Sequence, residues 1–261
     1  MSAEYLQRLF GLEGRVAVVV GGTGELGGAL AEGIARAGAK VVVAGRSAER
    51  GEARAEAIRE AAGEAMFLPV DAVSRASHAE LLAGTLKAYG RVDALVNCAG
   101  VNSPTPYAEI SEEEWRRVLD GNLTATHVAC QEFAPHFAAQ EAGGAILNIG
   151  SVTAHIPLSR VFTYAAAKAA VVNLSKNLAR EYAPQNVRVN VICPGFFPAE
   201  QNRAVLDETR VANIMAGTPM HRWGEPSELV GAALLLLSPV AGSYITGADL
   251  YVDGGFTAAR F

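Results

Sequence analysis

Cysteine, positive charge and long apolar runs are all scarce in this chain. Only three cysteines, Cys98, Cys130 and Cys193, occur in 261 residues, and their spacing fits neither a Cys-x-x-Cys pair nor a metal-ligand set. Their neighbours are small or apolar, so we expect buried, reduced thiols. The five histidines form no recognisable ligand set either, so no metal site is predicted.

Basic residues are outnumbered, because 22 lysines and arginines face 27 aspartates and glutamates, for a formal net charge of −5. No basic block offsets phosphate charge, which argues against a nucleic-acid partner. The longest apolar candidate, Leu229 to Val240, is too short to span a bilayer. The N-terminus lacks the basic and then apolar layout of a secretory signal. We therefore expect no membrane partner and a cytoplasmic protein.

Half of the residues are apolar, and short β-branched runs alternate with longer helical stretches. This alternation is typical of a parallel sheet covered by helices on both faces. The predicted strands are Val16–Val20, Lys40–Ala44, Met66–Val70, Ala94–Asn97, Ala145–Ile149, Val187–Ile192 and Asp249–Val252. Since no stretch resembles a linker, we predict one dinucleotide-binding catalytic domain over residues 1–261. Its fold class is α/β, Rossmann-type and doubly wound, with a seven-stranded parallel sheet.

Helical patterns fill most of the intervals between these strands. The predicted helices are Leu26–Ala37, Ser47–Ala62, Ser74–Tyr89, a long helix that begins with the capping box Ser111–Glu114, Phe162–Tyr182 and Glu225–Leu237. Residues 196–220 have no regular pattern and are long for a connection, so we predict a substrate lid there. A pair of surface helices with a weak pattern is the alternative.

A glycine-rich turn lies between the first predicted strand and the first predicted helix. Glycines at this position let backbone amides approach a pyrophosphate at the positive end of the helix. Tight turns also use glycine, but the position of this turn in the alternating pattern favours a dinucleotide site. The residues expected to line it are Gly21, Thr23, Gly24, Glu25, Leu26 and Gly27.

The end of the second strand bears on the choice of dinucleotide. It has no acid for the ribose hydroxyls of NAD, and it has one cation, Arg46, that suits the 2′-phosphate of NADP. NADP(H) is therefore favoured, and NAD(H) remains possible because Glu25 would repel the phosphate. Arg46 could instead be a solvated residue beside Ser47, a predicted helix cap. Asp71, after the third strand, could receive the adenine amino group or cap the next helix.

Tyr164 and Lys168 are four residues apart in a helical stretch and so share one face. An ammonium about 4 Å from the phenol would favour the phenolate by roughly 4 kcal/mol, a figure that desolvation reduces. We expect the lowered pKa to make Tyr164 the acid/base, with Ser151 orienting the same oxygen. This spacing is a common coincidence on helix surfaces, but its combination with Ser151 and the glycine turn favours catalysis.

These motifs resemble those of the single-domain short-chain dehydrogenase/reductase family from about Leu12 to the end of the chain. The segments that match family motifs are Asn97–Gly100, Gly121–Thr124, Ile149–Thr153, Tyr164–Lys168, Pro194–Gly195 and Val252–Gly255. The glycine loop departs from the family pattern, because Val20 and Glu25 stand where a threonine and a glycine are usual.

The resemblance implies a catalytic set of Asn122, Ser151, Tyr164 and Lys168. Asn122 would anchor a proton-relay water through Lys168, which would also bind the nicotinamide ribose. The same resemblance implies a homodimer or homotetramer, formed through the helices after the fourth and fifth strands and through the last strand. The further cofactor-binding residues expected are Arg46, Ser47, Asp71, Ala72, Asn97, Ala99, Gly100, Tyr164, Lys168, Pro194, Gly195 and Phe197.

Two segments, Pro194–Arg203 and Thr218–Pro226, resemble the sugar-acid branch, which includes gluconate 5-dehydrogenase-like and fructuronate or mannonate oxidoreductase-like proteins. A polyhydroxy acid needs hydrogen-bonding side chains and a cation for its carboxylate. The candidates are His155, Arg160, Gln201, Asn202 and Arg203, each of which could also be an ordinary loop residue.

We predict an NAD(P)-dependent oxidoreductase that interconverts a secondary alcohol and a ketone on a small molecule, namely a sugar, polyol or sugar acid. One alternative is a 3-oxoacyl-thioester reductase, which would need a basic surface for an acidic carrier protein. Another is a dinucleotide-binding regulatory protein without catalysis, against which the set Ser151, Tyr164 and Lys168 argues.

Overall fold

Seven strands form one sheet in which every neighbouring pair is parallel, in the order β3-β2-β1-β4-β5-β6-β7. The structure is a computed structural model that describes residues 2–197 and 208–259. The strands are β1 (Val16–Val20), β2 (Lys40–Gly45), β3 (Glu64–Pro69), β4 (Ala94–Asn97), β5 (Gly144–Ile149), β6 (Val187–Pro194) and β7 (Asp249–Val252). The strand order reverses between β1 and β4, where a doubly wound sheet opens a crevice at its carboxyl end.

Helices connect the strands and cover both faces of the sheet. They are α1 (Ala3–Phe10), α2 (Glu25–Arg36), α3 (Ala48–Glu60), α4 (Arg75–Tyr89), α5 (Glu112–Leu119), α6 (Ala125–Ala138), α7 (Phe162–Tyr182), α8 (Glu208–Gly217) and α9 (Val230–Leu237). Within the described ranges, none of them combines the length and the apolar character that a membrane crossing requires.

The apolar side chains of the strands alternate between two core layers. Val19 points to the layer that contains Ile34 of α2, whereas Val18 points to the layer that contains Phe133 of α6. All four side chains are fully buried. Full burial of a side chain of this size stabilises the fold by roughly 1.5–3 kcal/mol, so the β-branched runs hold the sheet between its two helical layers.

The long helix predicted from Ser111 onwards is interrupted at its middle. Ser111 caps α5 as expected, with its Oγ accepting from the Glu114 backbone amide at 3.1 Å. A π-helical turn, Asp120–Thr124, then separates α5 from α6. Inside it, Asn122 Nδ2 donates to the Val118 carbonyl at 2.8 Å and to the Val101 carbonyl at 2.7 Å. The side-chain amide thus uses a carbonyl of the helix ladder, as π-bulges near functional sites often do.

The region predicted as a lid, residues 196–220, is described only in part, since residues 198–207 lie outside the described ranges. Residues 208–217 form α8, a helix of the kind named as the alternative to a lid, although its bounds were not predicted. Arg210 of α8 donates to the Ser159 carbonyl at 2.7 Å and so joins this helix to the loop before α7. The helix predicted over Glu225–Leu237 begins as a 3-10 turn, Pro226–Leu229, and continues as α9.

Candidate active site

A cavity of about 530 Å³ opens at the carboxyl end of the sheet. Among the residues predicted to bind the cofactor, the majority line it: Gly21, Thr23, Gly24, Glu25, Leu26, Gly27, Arg46, Ala72, Ala99, Gly100, Tyr164, Lys168, Pro194, Gly195 and Phe197. Ser151 lines the same cavity. One cleft therefore joins the glycine loop to the tyrosine and lysine, although more than 130 residues separate them in sequence.

The glycine loop is shaped by close approaches of backbone to backbone. Gly21 has a φ of 84°, and a Cβ at this position would lie 2.6 Å from the Ala99 amide nitrogen. No other residue type fits there without a shift of β4 or of the loop. Gly24 is the N-cap of α2, so the free amides at the start of that helix face the cleft. This arrangement suits a phosphate or pyrophosphate.

The adenosine end of the cleft lies beside the end of β2. A Cβ at Gly45 would meet both the methyl group and the hydroxyl of Thr23 at 2.8 Å. Thr23 therefore fills the space where a side chain at position 45 would otherwise point. Arg46, the next residue, is exposed and lines the cleft.

Ser151 and Tyr164 meet through their hydroxyl groups. Ser151 follows β5, and Tyr164 lies in the first turn of α7. The two side chains are hydrogen-bonded, and the Thr153 backbone amide donates to Ser151 Oγ at 3.1 Å. Because that amide already occupies an acceptor position of Ser151, the serine can direct its own proton to the oxygen beside it.

Lys168 and Asn122 converge beneath the tyrosine. Lys168 is buried, donates from Nζ to the Ile149 carbonyl at 2.7 Å, and lies 5.5 Å from the centre of the Tyr164 ring. A Cβ at Gly100 would lie 2.7 Å from Asn122 Oδ1 and 3.7 Å from Lys168 Nζ. Both polar groups therefore face the same small space. Asn122 Oδ1 is buried and has no hydrogen-bond partner within the described residues.

Burial controls the ionisation of this site. It raises the pKa of Tyr164 to about 12, and the hydrogen bond with Ser151 offsets only part of that rise. Burial also lowers the pKa of Lys168 from its ordinary 10.5 to about 8. The direction for Tyr164 is opposite to the sequence prediction, because removing the phenolate from water costs more than its neighbours return.

Two thiols lie close enough to Tyr164 and Lys168 to affect their charge states. Burial raises the pKa of Cys98 and of Cys193 to about 11 in each case. Cys130 is also buried, and its pKa is raised to about 12. All three cysteines are free, and their raised pKa values keep the thiols neutral at physiological pH. Cys130 and Cys193 are buried as predicted, whereas Cys98 is only partly buried and lines the cleft. They act here as small apolar groups.

Three residues predicted to bind the cofactor do not line the cleft. Ser47 accepts from the Arg50 amide at 3.3 Å and caps α3. Asp71 accepts from the Val73 amide at 3.3 Å, just before α4. The side chain of Asn97 donates to Asn148 Oδ1 at 2.8 Å in the buried layer below the site. Ser47 is thus a helix cap, Asp71 stabilises the turn before α4, which is capped by Ser74, and Asn97 belongs to a buried amide pair.

The predicted substrate residues are dispersed. His155 Nε2 lies 3.2 Å from Asp249 Oδ2, and Lys176 Nζ lies 3.1 Å from the other oxygen of the same carboxylate. Arg160 is exposed and has a φ of 57°. The remaining three, Gln201, Asn202 and Arg203, fall outside the described residues.

Two arginines that the sequence analysis missed, Arg50 and Arg54, also line the cleft. Together with Arg46 they recur at intervals of four residues, so the signal was present as a helical repeat of one charge type. The sequence analysis also missed the smaller lining residues Val20, Gly45, Val70, Cys98, Ile149 and Gly150. No group of three potential metal-ligating side chains occurs in the described part of the chain.

Comparison with known proteins gives consistent results over the whole chain. A family model described as Enoyl-(Acyl carrier protein) reductase matches residues 23–257. A 5-keto-D-gluconate 5-reductase of Escherichia coli is 33% identical over 252 residues, which cover 96% of this chain and 98% of that protein. A 3-oxoacyl-[acyl-carrier-protein] reductase of Vibrio cholerae is 36% identical over 248 residues, or 94% of this chain and 98% of that protein.

The solved structures include a gluconate 5-dehydrogenase from Burkholderia cenocepacia in complex with NADP and tartrate. It is 32% identical and matches with a TM-score of 0.93 over 98% of this chain and 100% of that chain. This match, with the sheet order above, confirms the predicted fold class.

Proposed function

Because this chain belongs to the short-chain dehydrogenase/reductase family, we propose that its substrate is a sugar acid and that its cofactor is NADP(H). The chain is an oxidoreductase that interconverts a secondary alcohol and a ketone. The observation that carries the substrate proposal is full-length similarity to a 5-keto-D-gluconate reductase and to a gluconate dehydrogenase bound to NADP and tartrate. Tartrate is itself a hydroxy acid.

The residues of the cleft fit a nicotinamide dinucleotide. The free amides of α2 and the close turn at Gly21 suit a pyrophosphate. The absence of an acid at the end of β2 and the presence of Arg46 suit the 2′-phosphate of NADP. Lys168, Pro194 and Gly195 line the far end, where the nicotinamide and its ribose would be held. When bound, this group supplies or accepts the hydride at the reacting carbon.

The protein's own contribution to the chemistry is proton transfer at the substrate oxygen. In reduction, Tyr164 donates its proton to the oxygen of the ketone, and Ser151 stabilises the same oxygen by a hydrogen bond. In oxidation the phenolate of Tyr164 removes the proton of the alcohol. The raised pKa of Tyr164 keeps the phenol protonated at neutral pH, so the site is prepared for the reductive direction.

Lys168 and Asn122 support that transfer from below. The pKa of Lys168 is lowered by burial to about 8, so at neutral pH its ammonium remains largely charged and favours the phenolate that forms during reduction. The buried and unpartnered Oδ1 of Asn122 faces the same space as Lys168 Nζ. We assign to it the anchoring of a water that returns a proton to Tyr164 by way of the lysine.

The carboxylate of a sugar acid requires a cation near the catalytic serine and tyrosine. His155 is already held by Asp249, so we assign this role to Arg160, which precedes Tyr164 by four residues. Its left-handed backbone conformation is uncommon for a residue with a Cβ, and such strain is often retained where function requires it. Gln201, Asn202 and Arg203 complete the proposed set as hydrogen-bond donors to hydroxyl groups.

A 3-oxoacyl-thioester reductase is the second candidate, favoured by the 36% identity to the Vibrio cholerae enzyme. A panel of reductions with NADPH and with NADH separates the two. The panel contains 5-keto-D-gluconate, other keto sugar acids, neutral keto sugars and an acetoacetyl thioester. We expect turnover of keto acids with NADPH. The kcat/KM for the thioester should be lower than that for the keto acids by at least about 100-fold. Selective reduction of the thioester would transfer the assignment to the acyl reductases.

We also propose a cytoplasmic homodimer or homotetramer. Large apolar side chains are partly exposed on the elements that the family uses for assembly, namely Trp115 of α5, Phe162 of α7 and Tyr251 of β7. Free cysteines suit a reducing compartment. Light scattering during gel filtration measures the number of subunits, and a monomer at micromolar concentration would contradict this proposal.

A further inference from the structure

Three arginines near the end of β2 and the start of α3 line the cleft. Arg46 follows β2, whereas Arg50 and Arg54 lie one turn apart in α3, and all three line the cavity. Glu25, at the start of α2, lines the same cavity and carries the opposing charge. The positively charged residues of this cavity are therefore not limited to Arg46.

Arg54 is held in place by an ion pair. Its Nη1 forms an ion pair with Glu32 Oε1 of α2, and the two side chains are 31% and 33% exposed. This pair attaches α3 to α2 and holds the guanidinium between them. An arginine fixed in this way loses less conformational entropy when it meets a ligand than a free surface arginine does.

Gly28 creates the space for that guanidinium. A Cβ at position 28 would lie 2.6 Å from Arg54 Cζ and 2.7 Å from both Nε and Nη2. The guanidinium plane thus lies against the first turn of α2, where a methyl group would displace it. The glycine is needed here for the neighbouring side chain and not for a turn, since position 28 is inside the helix.

The position of this charge has an electrostatic consequence. The first turn of a helix carries positive partial charge, so a cation beside it is unfavourable unless an anion is also present. Glu32 pairs with Arg54, but it lies two turns into α2 and so does not offset the positive end of the helix itself. An anionic group bound in the cleft, beside both Arg54 and the start of α2, would offset these two positive charges.

We propose that Arg54 is a specificity-determining residue that binds the 2′-phosphate of the adenosine ribose and is positioned for it by Gly28 and Glu32. This inference rests on the proposed use of NADP(H), and it assigns the preference to a pair of helices instead of to Arg46 alone. The ligand chemistry is that of a phosphate monoester, which a guanidinium recognises through two hydrogen bonds.

The test uses two cofactor fragments, adenosine 2′,5′-bisphosphate and adenosine 5′-monophosphate, and measures their Kd by calorimetry. Loss of one charge-assisted contact predicts that Arg54→Met weakens binding of the bisphosphate roughly tenfold. Binding of the monophosphate should change by less than about twofold. Gly28→Ala should act in the same direction, because the added methyl displaces the guanidinium without removing it. Glu32→Gln tests the positioning role, with a smaller loss expected.

Arg36→Met is the matched control, since Arg36 lies in α2 as an exposed arginine at the end of the helix remote from the cleft. It removes the same charge and should leave both affinities unchanged. Circular dichroism establishes that each variant is folded. The salt dependence of bisphosphate binding should also become shallower in Arg54→Met.

The outcomes separate this inference from the proposed function. If the wild-type protein prefers the bisphosphate and Arg54→Met keeps that preference, the role of Arg54 is refuted and the use of NADP stands. Equal losses for both fragments would also refute it, because they would indicate a structural role. If the wild-type protein does not distinguish the fragments, the proposed NADP preference fails together with the inference. None of these three outcomes depends on the sugar-acid substrate.

Discussion

Lys168 Nζ lies 5.5 Å from the centre of the Tyr164 ring and donates to the Ile149 carbonyl at 2.7 Å. The ammonium is therefore anchored to the end of β5 on one side and faces the aromatic ring on the other. Burial acts on the two groups in opposite directions, raising the pKa of the phenol to about 12 and lowering that of the lysine to about 8. Both shifts favour the neutral phenol and the neutral amine, which affects the pH dependence of the reaction and the stability of the fold.

The pH dependence of the two reaction directions should differ. Because the pKa of Tyr164 is raised to about 12, its acid form is present throughout the neutral range, whereas its phenolate fraction rises about tenfold per pH unit. Alcohol oxidation should therefore accelerate steadily from neutral to alkaline pH. Ketone reduction should be constant up to about pH 8 and decline above it, as Lys168 loses its proton. Steady-state rates in both directions check this, and an oxidation rate independent of pH would contradict it.

Replacing Lys168 should stabilise the fold while it removes activity. The folded-state pKa of about 8 lies below the ordinary 10.5, so the charged form is disfavoured in the folded protein and the cost is fully present below pH 8. Lys168→Met removes that cost and loses one hydrogen bond, for a net gain of about 1–2 kcal/mol in the free energy of unfolding at pH 7.

Urea denaturation measures the effect of Lys168→Met, with exposed Lys87→Met as the control. The wild-type protein should gain stability between pH 8 and 10.5, because its unfolded state then binds more protons, and the variant should not share that gain. A destabilised variant at pH 7 would show that Lys168 is held mainly by favourable contacts.

Asp93 joins Arg15, Val16 and Arg91 at the end of the sheet opposite the cleft. It should therefore contribute to stability and not to activity. Its carboxylate accepts from the Val16 amide at 2.9 Å, from Arg15 at 2.9 Å and from Arg91 at 2.8 and 2.6 Å. Burial works to raise the pKa of Asp93, but these hydrogen bonds bring it below its ordinary value of 3.8. Asp93→Asn should lower the free energy of unfolding by about 2 kcal/mol at neutral pH.

The cost of Asp93→Asn should depend on pH in a defined way. A depressed folded-state pKa contributes stability that is present above 3.8 and is lost as the pH falls through the folded value. The difference between wild type and variant should therefore shrink progressively as the pH falls below 3.8. Exposed Glu141→Gln is the control, and cofactor affinity should be unchanged in both. A pH-independent difference would rule out the ionised carboxylate as its source.

Glu25 should weaken the affinity for NADP. It stands in the glycine loop where the family has a glycine, and it lines the same cavity as the three arginines. Removing one exposed charge near the phosphates by Glu25→Gln should strengthen NADP binding roughly fivefold at low salt. The gain should disappear at high ionic strength. Calorimetric titrations at two salt concentrations measure it, with Glu60→Gln as control, and an unchanged Kd at low salt would exclude the repulsion.

The fold could be predicted because its signals are local. Val16–Val20 and Lys40–Gly45 are β-branched runs of strand length, and each is followed by a helical pattern. Parallel pairing needs no further information than that alternation. The π turn around Asn122 was not predictable, since it depends on the carbonyl of Val101, 21 residues earlier.

Site residues could be predicted where the backbone conformation permits only one residue type, as at Gly21 with its positive φ. The role of a side chain could not be predicted where it depends on partners that are distant in sequence. Asn97 was expected along the cofactor, but its amide is directed to Asn148 on the adjacent strand. Gly28 directly follows the predicted glycine turn, but the structure shows that it makes room for Arg54, 26 residues away. The raised pKa of Tyr164 likewise could not be predicted, because the elements that bury its phenol are distant in sequence.

The role of Tyr164 as proton donor is tested most directly by the rate of NADPH oxidation with 5-keto-D-gluconate. This rate is measured for the wild-type protein and for Tyr164→Phe, with NADPH binding measured in parallel. The phenylalanine keeps the ring and removes only the proton that is transferred. We expect turnover by the wild type and a kcat roughly 1,000-fold lower in the variant, with the two Kd values for NADPH within about twofold of each other. Equal turnover by both proteins would contradict it, because the proton would then come from another group.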